Sequence, residues 1–183
     1  MGIKIGTNSI NDIKLGTTQV DKVMLNGKNL FNIPNGDSSS TGGTYWTAYN
    51  NTIVGHGTRN TSTAYQRMLV GDLVSLATPL PAGVYTISIA EASTKNLELG
   101  FRDIDGNSVI ASGATNNTLA VGKTSRQITL TGEAVSFRLT VTGLSNGENV
   151  DNVQFKDIML EAGSTATAYE PYIGEVTLWQ KSS

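Results

Sequence analysis

The chain has 183 residues, of which 38% are hydrophobic and 15% charged, with a net charge of −2, one histidine and no cysteine. That length suits one ordinary domain plus an appendage, and the lack of cysteine excludes disulfides, thiolate metal sites and cysteine nucleophiles. So small a charge gives no long-range pull on nucleic acid or anionic membrane, and no segment approaches the roughly 20 apolar residues of a membrane span, so neither partner is expected.

The chain opens on a ten-residue repeat. Residues 3–12 read IKIGTNSIND, 13–22 IKLGTTQVDK and 23–32 VMLNGKNLFN. The apolar pairs Ile3/Ile5, Ile13/Leu15 and Val23/Leu25 recur in register, as do Ile10, Val20 and Leu30. Gly6-Thr7-Asn8, Gly16-Thr17-Thr18 and Asn26-Gly27 fall where the chain would reverse, and Asn-Gly is a strong hairpin signal because both residues tolerate positive φ. The alternation slips between Ile10 and Ile13, which predicts a bulge or change of face. Three short strand–turn units are too small to enclose a core unaided. Residues 1–31 are therefore expected to form a β-repeat anchor completed by foreign polypeptide, with Ile3, Ile5, Ile13, Leu15, Val23 and Leu25 supplying the assembly contacts. Residues 1–30 carry no apolar run of the kind a secretory signal has.

Residues 32–43, NIPNGDSSSTGG, are polar and rich in Gly and Ser, and read as a linker or long loop whose start could belong to the next domain. Residues 44–172 read as one all-β domain, an antiparallel sandwich or jelly roll of many short strands. The clearest strands are 84–92, 96–103, 126–131, 134–142 and 153–161. Alternation puts Tyr85, Ile87 and Ile89 on one face of the first, and Val135, Phe137, Leu139 and Val141 on one face of the fourth. Residues 173–183 add a short apolar strand, whose Trp179 is expected to pack on the sandwich or on a neighbouring subunit.

Several constellations could carry chemistry. Tyr45, Trp46 and Tyr49 cluster after the linker, and Tyr65 and Arg67 follow. Flat aromatic faces beside polar groups suit the apolar side of a sugar, although Trp46 would equally fill a core. Arg102 and Arg138 each neighbour a phenylalanine, so with Phe101 and Phe137 inward both arginines point outward, where a shared groove could hydrogen-bond a glycan. Asp103-Ile104-Asp105-Gly106-Asn107 begins like a calcium loop but lacks the required Gly and terminal acid, and reads as a hairpin turn. His56, the lone histidine, reads as a loop residue between glycines. The sequence offers no phosphate-binding loop and no nucleophile elbow, and it nominates no carboxylate pair; no enzymatic activity and no catalytic residue are expected.

The segment from Val150 to Tyr172, VDNVQFKDIMLEAGSTATAYEPY, resembles the closing signature of carbohydrate-binding-type jelly rolls in bacteriophage structural proteins. Asn29-Leu30-Phe31-Asn32 resembles their first strand, and the opening repeat is similar to repeats at the starts of phage tail and head accessory proteins. The resemblance covers roughly residues 29–172. It implies a virion component such as a capsid decoration, head fibre or tail-associated module, often a homotrimer, contacting other virion proteins. It also implies an alternative, a receptor-binding adhesin recognising a host surface carbohydrate. Related folds often hold a structural calcium near the position of Asp157, for which Asn32 is the candidate partner; no other cofactor is implied.

Overall fold

The computed structural model describes residues 28–111 and 117–172 in full, together with the backbones of six short strands at 3–5, 8–10, 14–15, 18–19, 22–24 and 175–177. The chain divides into two compact units. One gathers both ends, Met1–Asn26 and Ile173–Ser183, and the other is the continuous stretch Gly27–Tyr172.

In the terminal unit, β1 (Ile3–Ile5) pairs antiparallel with β2 (Asn8–Ile10), with Ile3 opposite Ile10 and Ile5 opposite Asn8. β3 (Lys14–Leu15) pairs in the same way with β4 (Thr18–Gln19). Each of the first two decapeptides thus closes a ribbon on itself. The third does not. Its β5 (Lys22–Met24) pairs with the last strand of the chain, Glu175–Thr177, with Val23 opposite Val176. The rest of that repeat, including Leu30 and Phe31, runs into the second unit. The strand within residues 173–183 thus pairs with the repeat, and the third repeat unit, expected to be completed by foreign polypeptide, finds a pairing strand in this chain's own end. Of the expected turn residues, Asn8 and Thr18 belong instead to β2 and β4; the others, with Ile13, Leu25, the anticipated bulge and Trp179, lie outside the described residues.

Every regular element of the second unit, among the described residues, is a β-strand. In chain order these are β6 (Gly36–Asp37), β7 (Thr44–Tyr49), β8 (Thr52–Gly57), β9 (Tyr65–Arg67), β10 (Val74–Leu80) and β11 (Gly83–Ser88). They continue with β12 (Asn96–Arg102), β13 (Thr118–Leu119), β14 (Ser125–Leu130), β15 (Ala134–Thr142), β16 (Gln154–Phe155) and β17 (Met159–Ala162); the terminal strand is then β18. One layer has the order β10-β15-β12-β13, with β9 also on β15. The other is made of two sheets, β14-β11-β17 and β16-β8-β7-β6. Backbone bonds join these two sheets: Ala90 N–H to the Lys156 carbonyl at 2.9 Å and Ile158 N–H to the Asn51 carbonyl at 2.7 Å. The result is an antiparallel all-β sandwich.

Alternation built the core as the sequence predicts. Leu97, Leu99 and Phe101 of β12 and Phe137, Leu139 and Val141 of β15 are buried from one layer; Tyr85, Ile87 and Ile89 meet them from the other. Phe31 lies between, its ring stacked 4.4 Å from Phe137 and 6.0 Å from Phe101. Asn29 fixes this first segment. Its side chain accepts from Phe31 N–H and Leu160 N–H and donates to the Ile158 carbonyl, while Leu30 N–H reaches the Leu160 carbonyl at 2.7 Å. The sandwich therefore begins near residue 28, not 44. Residues 32–43, expected as a linker, contribute buried Ile33 and Ser38 and the edge strand β6. Their polar composition reflects side chains that satisfy the edge: Ser38 Oγ accepts from Trp46 N–H at 2.9 Å.

One buried charge organises the loop before β9. Arg59 is 1% exposed, and its guanidinium donates to the carbonyls of Thr41, Thr63 and Tyr65, to Gln66 Oε1 and to Thr44 Oγ1. Among the described residues no carboxylate faces it; neutral oxygens alone offset its desolvation.

Candidate functional site

The residues expected to bind a ligand fall into three places. Trp46 is fully buried, its ring tilted 6.5 Å from Phe155, and it sits against Gly55, where an added Cβ would come within 2.9 Å of the indole. It is a core residue and not a sugar platform; the inward parity of β7 (Thr44, Trp46, Ala48) dictates this.

Tyr65, Arg67, Arg102 and Arg138 share the outer face of the β9–β15–β12 layer. Arg67 stands opposite Thr140, Gly100 opposite Arg138, and Arg102 opposite Ser136. Two of the arginines, Arg67 and Arg138, are already engaged. Arg67 pairs with Asp72 at 2.6 Å, donates to Thr140 Oγ1 at 2.6 Å and lies 5.5 Å over the Tyr65 ring; Asp72 also reaches Arg138 at 3.7 Å. Arg138 lies across Gly100, whose missing Cβ leaves it room. Burial, then the guanidiniums of Arg67 and Arg102, hold Arg138 below the ordinary arginine pKa.

Tyr45 and Tyr49 lie on the other layer, on the outer face of β7 and β8. The register Tyr45/His56, Thr47/Val54 and Tyr49/Thr52 brings these six side chains together. His56, expected in a loop, lies within β8 and stacks on Tyr45 at 4.7 Å. Between β7 and β8 the Asn50-Asn51 turn has both residues at positive φ, 48° and 59°. That matches a primed two-residue hairpin turn, which asparagine tolerates. Asn51 then ties the first segment to the turn, donating to the Phe31 carbonyl at 3.0 Å and accepting from Ile33 N–H at 3.2 Å.

Beside that turn lies a cavity of about 520 Å3 lined by Asn32, Asn35, Asn50, Asp157, Tyr169 and Tyr172, with Ile33, Pro34, Asn51 and Pro171 completing its wall. A second concavity of about 420 Å3 covers Thr47, Tyr49, Thr52, Val54 and His56, and shares Asn50 and Asp157 with the first. Asp157 lies where the strand expected over 153–161 breaks into β16 and β17, with φ at 53°. Its N–H donates to Thr52 Oγ1 at 3.1 Å. Burial and then the Asp157 carboxylate raise the pKa of Tyr169, so its phenol remains protonated.

Asn32 and Asp157, named as calcium partners, do line one cavity. Among the described residues, however, no three His, Cys, Asp or Glu side chains gather to hold a metal. One carboxylate with neutral amide oxygens would take a calcium ion only with water filling most of its six to eight positions.

Asn35, Asn50, Tyr169 and Tyr172 were not singled out by sequence reasoning. Asn50-Asn51 between alternating strands was a readable hairpin signal; the closing Tyr-Glu-Pro-Tyr gave no sign of folding back on the first segment. Comparison with protein families, curated proteins and solved structures returned no match.

Proposed function

We propose that this protein is a non-catalytic attachment-and-display component of a bacteriophage virion, held to the particle by its terminal unit and presenting the sandwich. The observation that carries this reading is that both chain ends belong to one small unit and the sandwich is inserted between them. An inserted domain is tethered at two points, which suits a body carried on a foot. Lys28 and Glu170, at the two ends of the sandwich, pair at 2.9 Å. The resemblance of residues 150–172 and of the opening repeat to phage structural proteins supports the same assignment. Assembly of the foot as a homotrimer belongs to this reading, and would raise weak contacts through avidity.

Binding rather than catalysis is favoured by the cavity, which holds one carboxylate, Asp157, where glycosidases use two. The test is co-sedimentation of tagged full-length protein with particles from the producing culture, located by electron microscopy. The intact chain should travel with particles, and a chain lacking residues 1–26 and 173–183 should not. Equal retention of both would refute attachment through the foot.

A further inference from the structure

The sandwich carries an acceptor with nothing to accept from. Asp157 lines both concavities. Among the described residues its carboxylate makes no hydrogen bond and no ion pair; only its backbone is engaged, through Thr52. Non-glycine residues at positive φ occur, among the described residues, only at Asn50, Asn51 and Asp157. The two asparagines are accounted for by the hairpin turn. Asp157 is not: it interrupts a strand, where glycine would adopt that φ at lower cost. Strain kept at a residue whose side chain has no structural partner is a mark of function.

The neighbours share this character. The side chains of Asn32 and Asn50 also make no internal hydrogen bond, and Asn35 uses only its carbonyl oxygen, on Asn50 N–H at 2.9 Å. Tyr49 is 64% exposed and lines the second concavity, while Tyr169, Pro171 and Tyr172 give flat apolar faces to the first. Amides that can donate and accept, one fixed anionic acceptor and ring faces around them match an uncharged ligand dense in hydroxyls. Each concavity also falls within the roughly 300–1,000 Å3 of small-molecule sites. The arginine face opposite offers less, because Arg67 and Arg138 are already paired with Asp72, and Arg67 also with Thr140.

We propose that the trough formed by these two concavities is a saccharide-binding site in which Asp157 accepts hydrogen bonds from ligand hydroxyls, so that neutral or amino-bearing oligosaccharides bind and acidic ones are rejected. The trough lies wholly within the sandwich unit, and the proposal rests on reading that unit as the displayed part.

The test is an NMR titration of the full-length chain with maltotriose, cellotriose and triacetylchitotriose as neutral probes and sialyllactose as the acidic one. A neutral probe should shift Tyr49, Asn50, Asp157 and Tyr169. Tyr49→Ala and Asp157→Asn should each weaken it about tenfold, the loss expected for one stacking face or one charge-assisted bond. Asp157→Gly should weaken it as much while leaving the melting temperature equal or higher, which a purely structural Asp157 would not do. Tyr65→Ala should change nothing. Shifts confined to Tyr65, Arg67 and Arg138, stronger binding of sialyllactose than of every neutral probe, or no shift with any probe at millimolar concentration would each overturn the site. Particle co-sedimentation would be unaffected by those results, so failure here is separable from failure of the attachment reading.

Discussion

Replacing Phe31 by alanine probes where the sandwich begins. The ring is fully buried, stacked on Phe137 at 4.4 Å and near Phe101 at 6.0 Å, and its segment is clamped by Asn29 and Asn51. Those clamps prevent collapse of the segment into the vacated space, so the loss should fall in the upper half of the range for Phe→Ala in a core, about 4 kcal/mol. With a urea m-value of roughly 2 kcal/mol/M, the midpoint should drop by about 2 M. Fluorescence of buried Trp46 in a Trp179→Phe background reports the sandwich alone. Tyr49→Ala, on the surface, should stay within about 0.5 kcal/mol of the parent. A Phe31→Ala loss below about 1 kcal/mol would mean that residues 29–33 belong to the anchor and that the packing described here is wrong.

Arg59→Met should cost about 3 kcal/mol in the same assay, because it removes the guanidinium that donates to the part-buried Thr63 and Tyr65 carbonyls; a neutral result would show that water replaces it. Acid should destabilise the sandwich. For Glu148, burial pushes the pKa up, but the Lys95 ammonium at 2.7 Å and the Ser145 N–H outweigh it and leave a net depression. Asp151 is also depressed, by Asn149 and then by the Gly57 N–H at 2.6 Å. Carboxylates with depressed folded pKa values stabilise above their unfolded values, and that contribution is lost as pH falls through the folded ones. The melting temperature should therefore hold from neutrality to about pH 5 and fall below about pH 4, less steeply in Glu148→Gln; a rise on acidification would contradict the sign. Calcium or chelator should move the melting temperature by less than about 1 °C, since tight binding to the folded state alone would shift it by several degrees; a larger calcium-induced rise, abolished in Asp157→Asn, would show that the cavity holds the metal.

Much of the sandwich was legible because its strands alternate. β15 matches residues 134–142 end for end, and β12 and β14 match their expected ranges within a residue. What escaped was long-range. β6, β9 and β13 have only two or three residues each, and edge pairing forms them rather than local pattern. The strand over 153–161 looked continuous because its apolar spacing is regular, yet Asp157 takes a left-handed φ in its middle. Asn29 and Phe31 fit both the tail of the repeat and, by resemblance, a first sandwich strand, and their pairing with Ile158, Leu160 and Phe137 decides for the second. The site suffered most. Its residues come from the first segment, the β7–β8 turn, the β16–β17 break and the closing tail, and no sequence spacing links the four. The visible aromatic cluster pointed instead to Trp46, which strand parity sends inward.

The central claim is that the two ends of one chain build one foot, and β5 with β18 is its signature. Val23 stands directly opposite Val176, and facing residues of antiparallel strands lie about 4.5–5.5 Å apart at Cα, within disulfide reach. The chain has no cysteine of its own, so Val23→Cys with Val176→Cys gives an unambiguous readout. Mild oxidation of the double variant should yield an intrachain bridge: a monomer on non-reducing gels, with one linked peptide joining the two ends by mass spectrometry. Bridges found only between chains, or none at all, would contradict the account.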